Sequence, residues 1–401
     1  MFGGVYLCAH SQDHTLCAKV ITVKTNSKID FIYLSEPDMV KAGVTDMRAC
    51  IDTMEAMFKL LYSGDYRMAG ENNNSHGAMI LFPETSPHPN MPEATADRRL
   101  MAMPAYLGGD FGTCGVKWYG SNITNREVGL PRSVLMFILT DTQTGAPLAI
   151  MSANLLSAYR TGAIPGVGAR YLARADSRTV AILGPGVMGK TTLSALLAAC
   201  PRIDKLKVKG RGIKNLDSFV RWAGDEYAQL TDIDVVDNEK DLVRDSDVVA
   251  YCSSGETGNP EQYPIVKKDW IRPGTFFAMP ALGNFDDGVA TKGVRKVLDN
   301  TGLYEAWASE ISPPAHKVNP LVGMKFMDMV GKGVLDKSEL EDLGKIVAGE
   351  APGRQNEDEI IMLSVGGMPV EDVAWATVIY RKAIENGIGV PLNLWETPVL
   401  S

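Results

Sequence analysis

No stretch of the chain is rich in lysine and arginine, and the net charge is −8. Nucleic acid is therefore a poor candidate for the main partner, since grip on a phosphate backbone needs clustered basic residues. No apolar run approaches the ~20 residues that a helix needs to cross a bilayer. Between Met1 and Lys24 the polar residues His10, Asp13, His14 and Lys19 interrupt any apolar core, so the sequence predicts no signal peptide and a cytoplasmic enzyme. The six cysteines form no C-x-x-C pair and the five histidines show no metal-ligand spacing. No metal site is expected, and the thiols read as small buried hydrophobes of a reducing compartment. Internal repeats and low-complexity segments are missing too.

What is present is length and periodicity. A chain of 401 residues exceeds what one core usually organises, so two domains are expected. Ile32–Leu34 reads as a strand leading through Ser35-Glu36-Pro37-Asp38 into a capped helix. Residues 46–62 have helical apolar spacing (Met47, Cys50, Ile51, Met54, Met57, Phe58, Leu61), stopped by Gly64. From Met68 to Asn125, Asn, Pro and Gly suggest loops between strands. Two strands, 133–141 and 147–151, flank the turn Thr142-Gln143-Thr144-Gly145, and a helix from 153 to 172 is expected to kink or break at Pro165-Gly166. Strands and helices then alternate from Thr179 to Leu282, which implies a parallel sheet with crossover helices. The tail from Ser338 reads as mostly helical, with a glycine break at Gly366-Gly367.

The loop after Leu183 carries the first chemical signal. Gly184-Pro185-Gly186-Val187-Met188-Gly189 fits the dinucleotide fingerprint, while Gly184 through Gly189-Lys190-Thr191 also fits a phosphate loop. In both, glycines let the backbone approach phosphates at a helix N-terminus. The end of the next strand separates them. A dinucleotide site reads the adenosine ribose there, and the sequence places Lys209-Gly210-Arg211 at that point. A basic residue suits a 2′-phosphate, so NADP(H) is preferred, with NAD(H) left open. A phosphate-loop NTPase needs an aspartate ending an apolar strand for magnesium, and the strand 248–251 ends instead in Cys252-Ser253-Ser254.

Further motifs in order make the chain resemble the ornithine cyclodeaminase/mu-crystallin family over roughly residues 30–400. They are Gly115-Val116-Lys117-Trp118-Tyr119, Asp141 through Leu148, and Leu155-Leu156-Ser157-Ala158-Tyr159-Arg160-Thr161-Gly162. The loop at 184–189, Cys252-Ser253-Ser254, Arg272-Pro273-Gly274 and Ser364 through Asp372 complete the set. The resemblance implies an α/β fold with a Rossmann-type dinucleotide-binding domain (161–339) inserted in an α+β substrate-binding and dimerisation domain (28–160 plus 340–401). Residues 1–27 would form an N-terminal extension, and the protein a homodimer.

The resemblance also implies chemistry at the carbon bearing an amino group. The expected activity is that of an NAD(P)H-dependent oxidoreductase acting on the C–N bond of an amino acid or its imine or ketimine. The alternatives are an ornithine or lysine cyclodeaminase that releases ammonia with recycled NAD, and a non-catalytic binder of a cofactor or small ligand. By resemblance, Lys117 and Arg160 hold the substrate carboxylate, Thr161 lies near the cofactor phosphates, Ser253 and Ser254 near the nicotinamide side, and Asp372 beside the nicotinamide. Asp372 also suits a helix N-terminal cap.

The chain departs from the family pattern in two places that touch chemistry. The usual carboxylate-binding arginine upstream of the lysine has no clear counterpart. That region reads Asn72-Asn73-Asn74-Ser75-His76-Gly77, with Arg98-Arg99 later, so His76 is a candidate for that part or for a proton donor. The cyclodeaminase aspartate falls near Asn284, with Asp286 two residues on. An amide cannot act as a general base, so cyclodeaminase activity requires Asp286 to reach the site. Lys117, His76 and Asp286 are thus the candidate catalytic groups.

Overall fold

The computed structural model describes residues 27–400 apart from 96, 254, 256 and 292, so the expected N-terminal extension falls almost wholly outside the described residues. Two eight-stranded sheets organise the chain. In the first, strands run in the order Val390–Trp395, Ile29–Leu34, Pro147–Ser152, Ser133–Asp141, Thr113–Ser121, Arg99–Leu107 and Tyr66–Met68, with Ala78–Leu81 also paired to Arg99–Leu107. All neighbours are antiparallel except Ile29–Leu34 against Pro147–Ser152.

The stretch read as loops between 68 and 125 holds two nine-residue strands, Arg99–Leu107 and Thr113–Ser121. Their signal is period two: Met101, Met103, Ala105 and Leu107 are buried while the residues between them are not. In the sequence that pattern is masked, because Leu100 and Tyr106 stand on the alternate face of the first strand and the buried face of the second carries Thr113, Gly115, Lys117 and Ser121. The register sets Lys117 opposite Met103 on one side and Phe137 on the other. Gly115 makes room for Phe137, because a Cβ there would lie 2.3 Å from the ring.

The second sheet is parallel throughout, in the order Asp232–Val235, Lys205–Lys209, Thr179–Leu183, Val248–Tyr251, Phe276–Met279, Ile360–Ser364, Val294–Leu298 and Leu340–Asp342. Its central strands are buried along their whole length, as a sheet covered on both faces requires. This corrects the expected division of the chain at 340. Leu340–Asp342 and Ile360–Ser364 add strands to the parallel sheet, so the chain leaves that sheet only after Ser364. Ile360–Ser364 is a short run buried on both faces, and periodicity alone cannot tell such a strand from a helix turn.

Three helices lie between the sheets' chemistries. Met47–Ser63 is capped by Asp46 and stopped by Gly64 at φ +82°, and it buries the apolar face expected of it. Asn154–Leu172 runs unbroken through Pro165, against expectation. Its second half is buried, and packing compensates for the one backbone bond that proline cannot make. Gly162 and Gly166 let this helix close on Val187–Ala199: an added Cβ would lie 2.5 Å from Thr191 at the first and 2.9 Å from Ala195 at the second. Pro369–Glu385 starts with proline in its first turn and packs under the lysine strand, where the Thr377 and Thr113 hydroxyls share a hydrogen bond of 2.7 Å.

The close seam predicts a sign. Alanine in a helix is favoured over glycine by ~1 kcal/mol, but overpacking a tight contact costs ~1–3 kcal/mol. Gly162→Val should therefore lower the melting temperature by calorimetry, whereas Gly331→Ala, where nothing lies within 4 Å, should leave it unchanged or raise it.

Candidate active site

The glycine loop follows the buried strand Thr179–Leu183. Gly184 sits at φ +99°, and a side chain there would strike the backbone of Ser253 at 2.6 Å. At Gly189 a Cβ would lie 2.2 Å from the Gly184 carbonyl, so the helix can start only with glycine there. Gly186 faces open space, with nothing within 4 Å of its Cβ position. The loop thus presents bare backbone beside Pro185 and the exposed Val187, at the N-terminus of a thirteen-residue helix, Val187–Ala199, that includes Met188. The buried Ser253 hydroxyl, pressed against this loop, has no hydrogen-bond partner among the described residues. An orphaned donor beside bare backbone fits the phosphates and ribose of a dinucleotide. Lys190 does not serve as a phosphate-loop lysine: its ammonium stands 4.8 Å over the Trp222 ring. Gly210 packs on Pro185, with a Cβ position 2.6 Å from its ring, so the chain next to the loop continues directly into the exposed Arg211. Lys209 pairs with Glu239 at 3.7 Å.

One half-turn before Gly162 on the same helix, a second cluster begins. Lys117 from the antiparallel sheet, Arg160 from the helix Asn154–Leu172, and Glu371 and Asp372 from the first turn of Pro369–Glu385 meet with 0–4% of their surfaces exposed. The Lys117 ammonium donates to Asp372 at 2.8 Å, and Arg160 Nε donates to the other oxygen of that carboxylate at 2.9 Å. Arg160 Nη1 donates to Glu371. The Ser157 hydroxyl accepts from Lys117 at 3.2 Å and from Arg160 Nη2 at 3.4 Å. Acids in a helix's first turn also favour its dipole. Asp372 does not cap the helix, however; the cap residue is Met368, without a side-chain bond.

Burial and the adjacent Arg160 charge pull the Lys117 ammonium down to about 8, against the opposing pull of Asp372. Burial holds the Glu371 carboxyl up to about 7, even beside Arg160, and its Oε1 has no partner. Asp299 follows the strand Val294–Leu298 and accepts from the amides of Gly366 at 2.7 Å and Gly367 at 3.0 Å; burial lifts it to about 6. Gly367, at φ +78°, leaves room for the guanidinium, since a Cβ would lie 2.8 Å from Arg160 Nη1. Asp299 therefore pins the corner from which the acidic helix departs.

The remaining candidates disperse. His76 is half-buried, its ring 5.3 Å from that of Trp307. Burial, with Lys117, Arg160 and Arg99 nearby, drops it to about 3, which favours the neutral imidazole over an imidazolium proton donor near neutral pH. The Asp286 carboxylate receives the amides of Val289 at 3.0 Å and Lys268 at 3.1 Å; none of its hydrogen-bond partners belongs to the buried cluster. Asn284 receives Lys325 at 2.7 Å and donates to the Pro260 carbonyl at 2.8 Å. The Thr161 hydroxyl donates to Ser157 O at 2.7 Å, leaving its lone pairs. Ser254 lies outside the described residues.

Sequence reasoning missed Ser157, Glu371 and Asp299. The first two sit inside quoted motifs, but only the helix phase shows that both neighbouring acids face inward. A short strand, Val294–Leu298, running into Asp299-Asn300 was the available signal for the third.

Comparison with known proteins agrees with this architecture. The profile of the ornithine cyclodeaminase/mu-crystallin family matches residues 43–387. The N-((2S)-2-amino-2-carboxyethyl)-L-glutamate dehydrogenase of Staphylococcus aureus is 30% identical over 302 residues, 74% of this chain and 82% of that protein. Alanine dehydrogenase of Archaeoglobus fulgidus is 28% identical over 297 residues, 74% of this chain and 84% of that protein. The structure of Thermococcus litoralis Δ1-pyrroline-2-carboxylate reductase, in complex with NADH and L-proline, matches with a TM-score of 0.72 at 27% identity, covering 90% of this chain and 99% of that one. With the glycine loop, the lysine strand and the acidic helix in one order and one fold, this chain belongs to the ornithine cyclodeaminase/mu-crystallin family.

Proposed function

We infer that the protein is an NAD(P)H-dependent oxidoreductase acting on the C–N bond of an amino acid or its imine. The carrying observation is the buried Lys117–Asp372–Arg160 cluster on the helix that packs against the glycine-loop helix. The dinucleotide, when bound, supplies the hydride chemistry; Gly184, Pro185, Gly186 and Gly189 would hold its phosphates, with Ser253 and Thr161 beside them. An ammonium carries three donors and a guanidinium five. Asp372, Glu371 and Ser157 use some of them and leave others for a substrate carboxylate, whose plane they would fix. Asp372 and Glu371 act through the two cations as orienting groups. Lys117, held near the pH of use, is the proton donor to the substrate nitrogen.

The three relatives named above are dehydrogenases or a reductase of amino-acid or cyclic imino-acid substrates by name, which supports the same reaction class. A cyclodeaminase role is disfavoured because the Asp286 carboxylate is engaged by backbone amides and an amide side chain stands at 284. We further propose NADP(H) as the preferred cofactor, with NAD(H) accepted, on the position of Arg211. A homodimer is also proposed, through the open face of the antiparallel sheet, where Trp118 and Met136 are paired neighbours 41% and 42% exposed.

The reaction is tested by supplying 2-oxo acids with amines and following NADH or NADPH oxidation. Ammonia release from ornithine or lysine without net cofactor change would overturn the oxidoreductase assignment. Lys117→Met should lower kcat/KM by ~10²–10⁴-fold. In the reductive direction Lys117 is an ammonium below its pKa and an amine above it, so wild-type kcat/KM should hold steady below about 8 and decline above. A profile flat through that pH removes Lys117 as the donor. Arg211→Ala should raise the KM for NADPH while leaving that for NADH nearly unchanged. Sedimentation should give a dimer mass for the wild type and a monomer mass for Met136→Glu.

A further inference from the structure

The register that buries Lys117 also sets a second cation on the same face of the sheet. Arg99, Met101 and Met103 stand opposite Ser121, Tyr119 and Lys117, and strand period two turns all six the same way. The Arg99 guanidinium lies 5.7 Å from the centroid of the Tyr119 ring, and the Lys117 ammonium lies 5.7 Å from the same centroid. Arg99 Nε donates to the Tyr119 hydroxyl at 3.4 Å, and that hydroxyl donates to Met101 Sδ at 2.9 Å. The ring thereby holds a planar, half-buried guanidinium in one orientation beside the substrate cluster.

What Arg99 lacks is an acid. Lys117 and Arg160 each have carboxylate partners, whereas Arg99 has none among the described residues. Asp97, two residues away, is occupied by Arg132, the Ser121 hydroxyl and the Ile123 amide. Near these cations lies His76, whose ring has no hydrogen-bond partner among the described residues and is kept toward the neutral form by burial first and by Lys117, Arg160 and Arg99 after it. A neutral imidazole adds a neutral donor or acceptor there without opposing an anion. A partly desolvated, unpaired guanidinium fixed beside a carboxylate-holding site is poised for a second anion.

We propose that the substrate is an amino acid or imine carrying a second acidic group, with its α-carboxylate at Lys117 and Arg160 and its distal carboxylate at Arg99. This inference rests on the oxidoreductase reading above and narrows it to a substrate class. Arg99 is then the residue that separates diacids from monoacids.

The test compares 2-oxoglutarate with pyruvate, each with the same amine and NADPH or NADH, in the full-length wild type, Arg99→Met and Arg99→Lys. The wild type should favour the diacid in kcat/KM by about tenfold or more, the scale of one charge-assisted hydrogen bond. Arg99→Met should erase most of that ratio, chiefly through the KM of the diacid, and Arg99→Lys should restore part of it. A wild type that favours the monoacid overturns the proposal. So does an Arg99→Met that weakens both substrates equally, because Arg99 would then hold the α-carboxylate. If neither pair consumes cofactor, the oxidoreductase reading fails instead, and the subsite is decided by calorimetric titration with L-glutamate and L-alanine. Tighter L-glutamate binding that Arg99→Met abolishes supports it; equal binding of the two amino acids overturns it. Thermal melts of each variant separate loss of the subsite from loss of the fold.

Discussion

Asp372, wholly buried, receives a lysine from one sheet and an arginine from a helix that packs on the other, and the rest of the molecule is arranged around that contact. Ions removed from water lose several kcal/mol of hydration each, and their mutual attraction offsets this only with close geometry and satisfied hydrogen bonds. Here the geometry spans partners 255 and 212 positions apart in the chain. The Ser157 hydroxyl, the shared Thr113–Thr377 bond and the pinned Gly366-Gly367 corner hold that geometry. Such a cluster is a poor device for stability, since apolar residues of similar volume would serve as well. What it does is keep two cations in place with donors to spare.

Small residues transmit this constraint to the nucleotide side. Gly162 brings the arginine helix onto the first turns of the glycine-loop helix, and Gly184 and Gly189 bring the loop onto Ser253 and onto itself. Each contact is shorter than any side chain permits, so these glycines answer to close approach. The Asp299 carboxylate does the corresponding work at the other end, fastening the end of the parallel sheet to the start of the acidic helix. The buried Lys117–Asp372–Arg160 cluster and the glycine loop are thereby parts of one packed body in which a shift at either is felt at both.

The charges of the site fall into two kinds. Lys117 and Arg160 face carboxylates, and burial then sets how tightly each proton is held: the ammonium is lowered to about 8, and the Glu371 carboxyl raised to about 7. Arg99 faces an aromatic ring and, among the described residues, no acid. The paired cations are positioned by carboxylates, while Arg99 is positioned by the Tyr119 ring and hydroxyl.

Much of this was legible in the residues. The fingerprint glycines, the strand–helix alternation from 179 onward, and the capped helix at 46–64 follow from local periodicity and from backbone conformations that only particular residues adopt, so the nucleotide-binding half could be read from the chain alone. The pairing of Lys117 and Arg160 at one site came from motif order. The nine-residue strands at 99–121, the unbroken helix through Pro165 and the strand at 360–364 were not legible, because packing against distant segments overrode loop-like composition, proline and a short apolar run. The same holds for the site's finer content. That both adjacent acids turn inward, that the Asp286 carboxylate is taken by backbone amides, and that Arg99 meets a ring and, among the described residues, no acid, depend on what stands opposite in space. Local sequence determined the elements and the residue types of the chemistry; only the tertiary structure decided their pairing, because charge and burial act across distances that the chain spans only once it is folded.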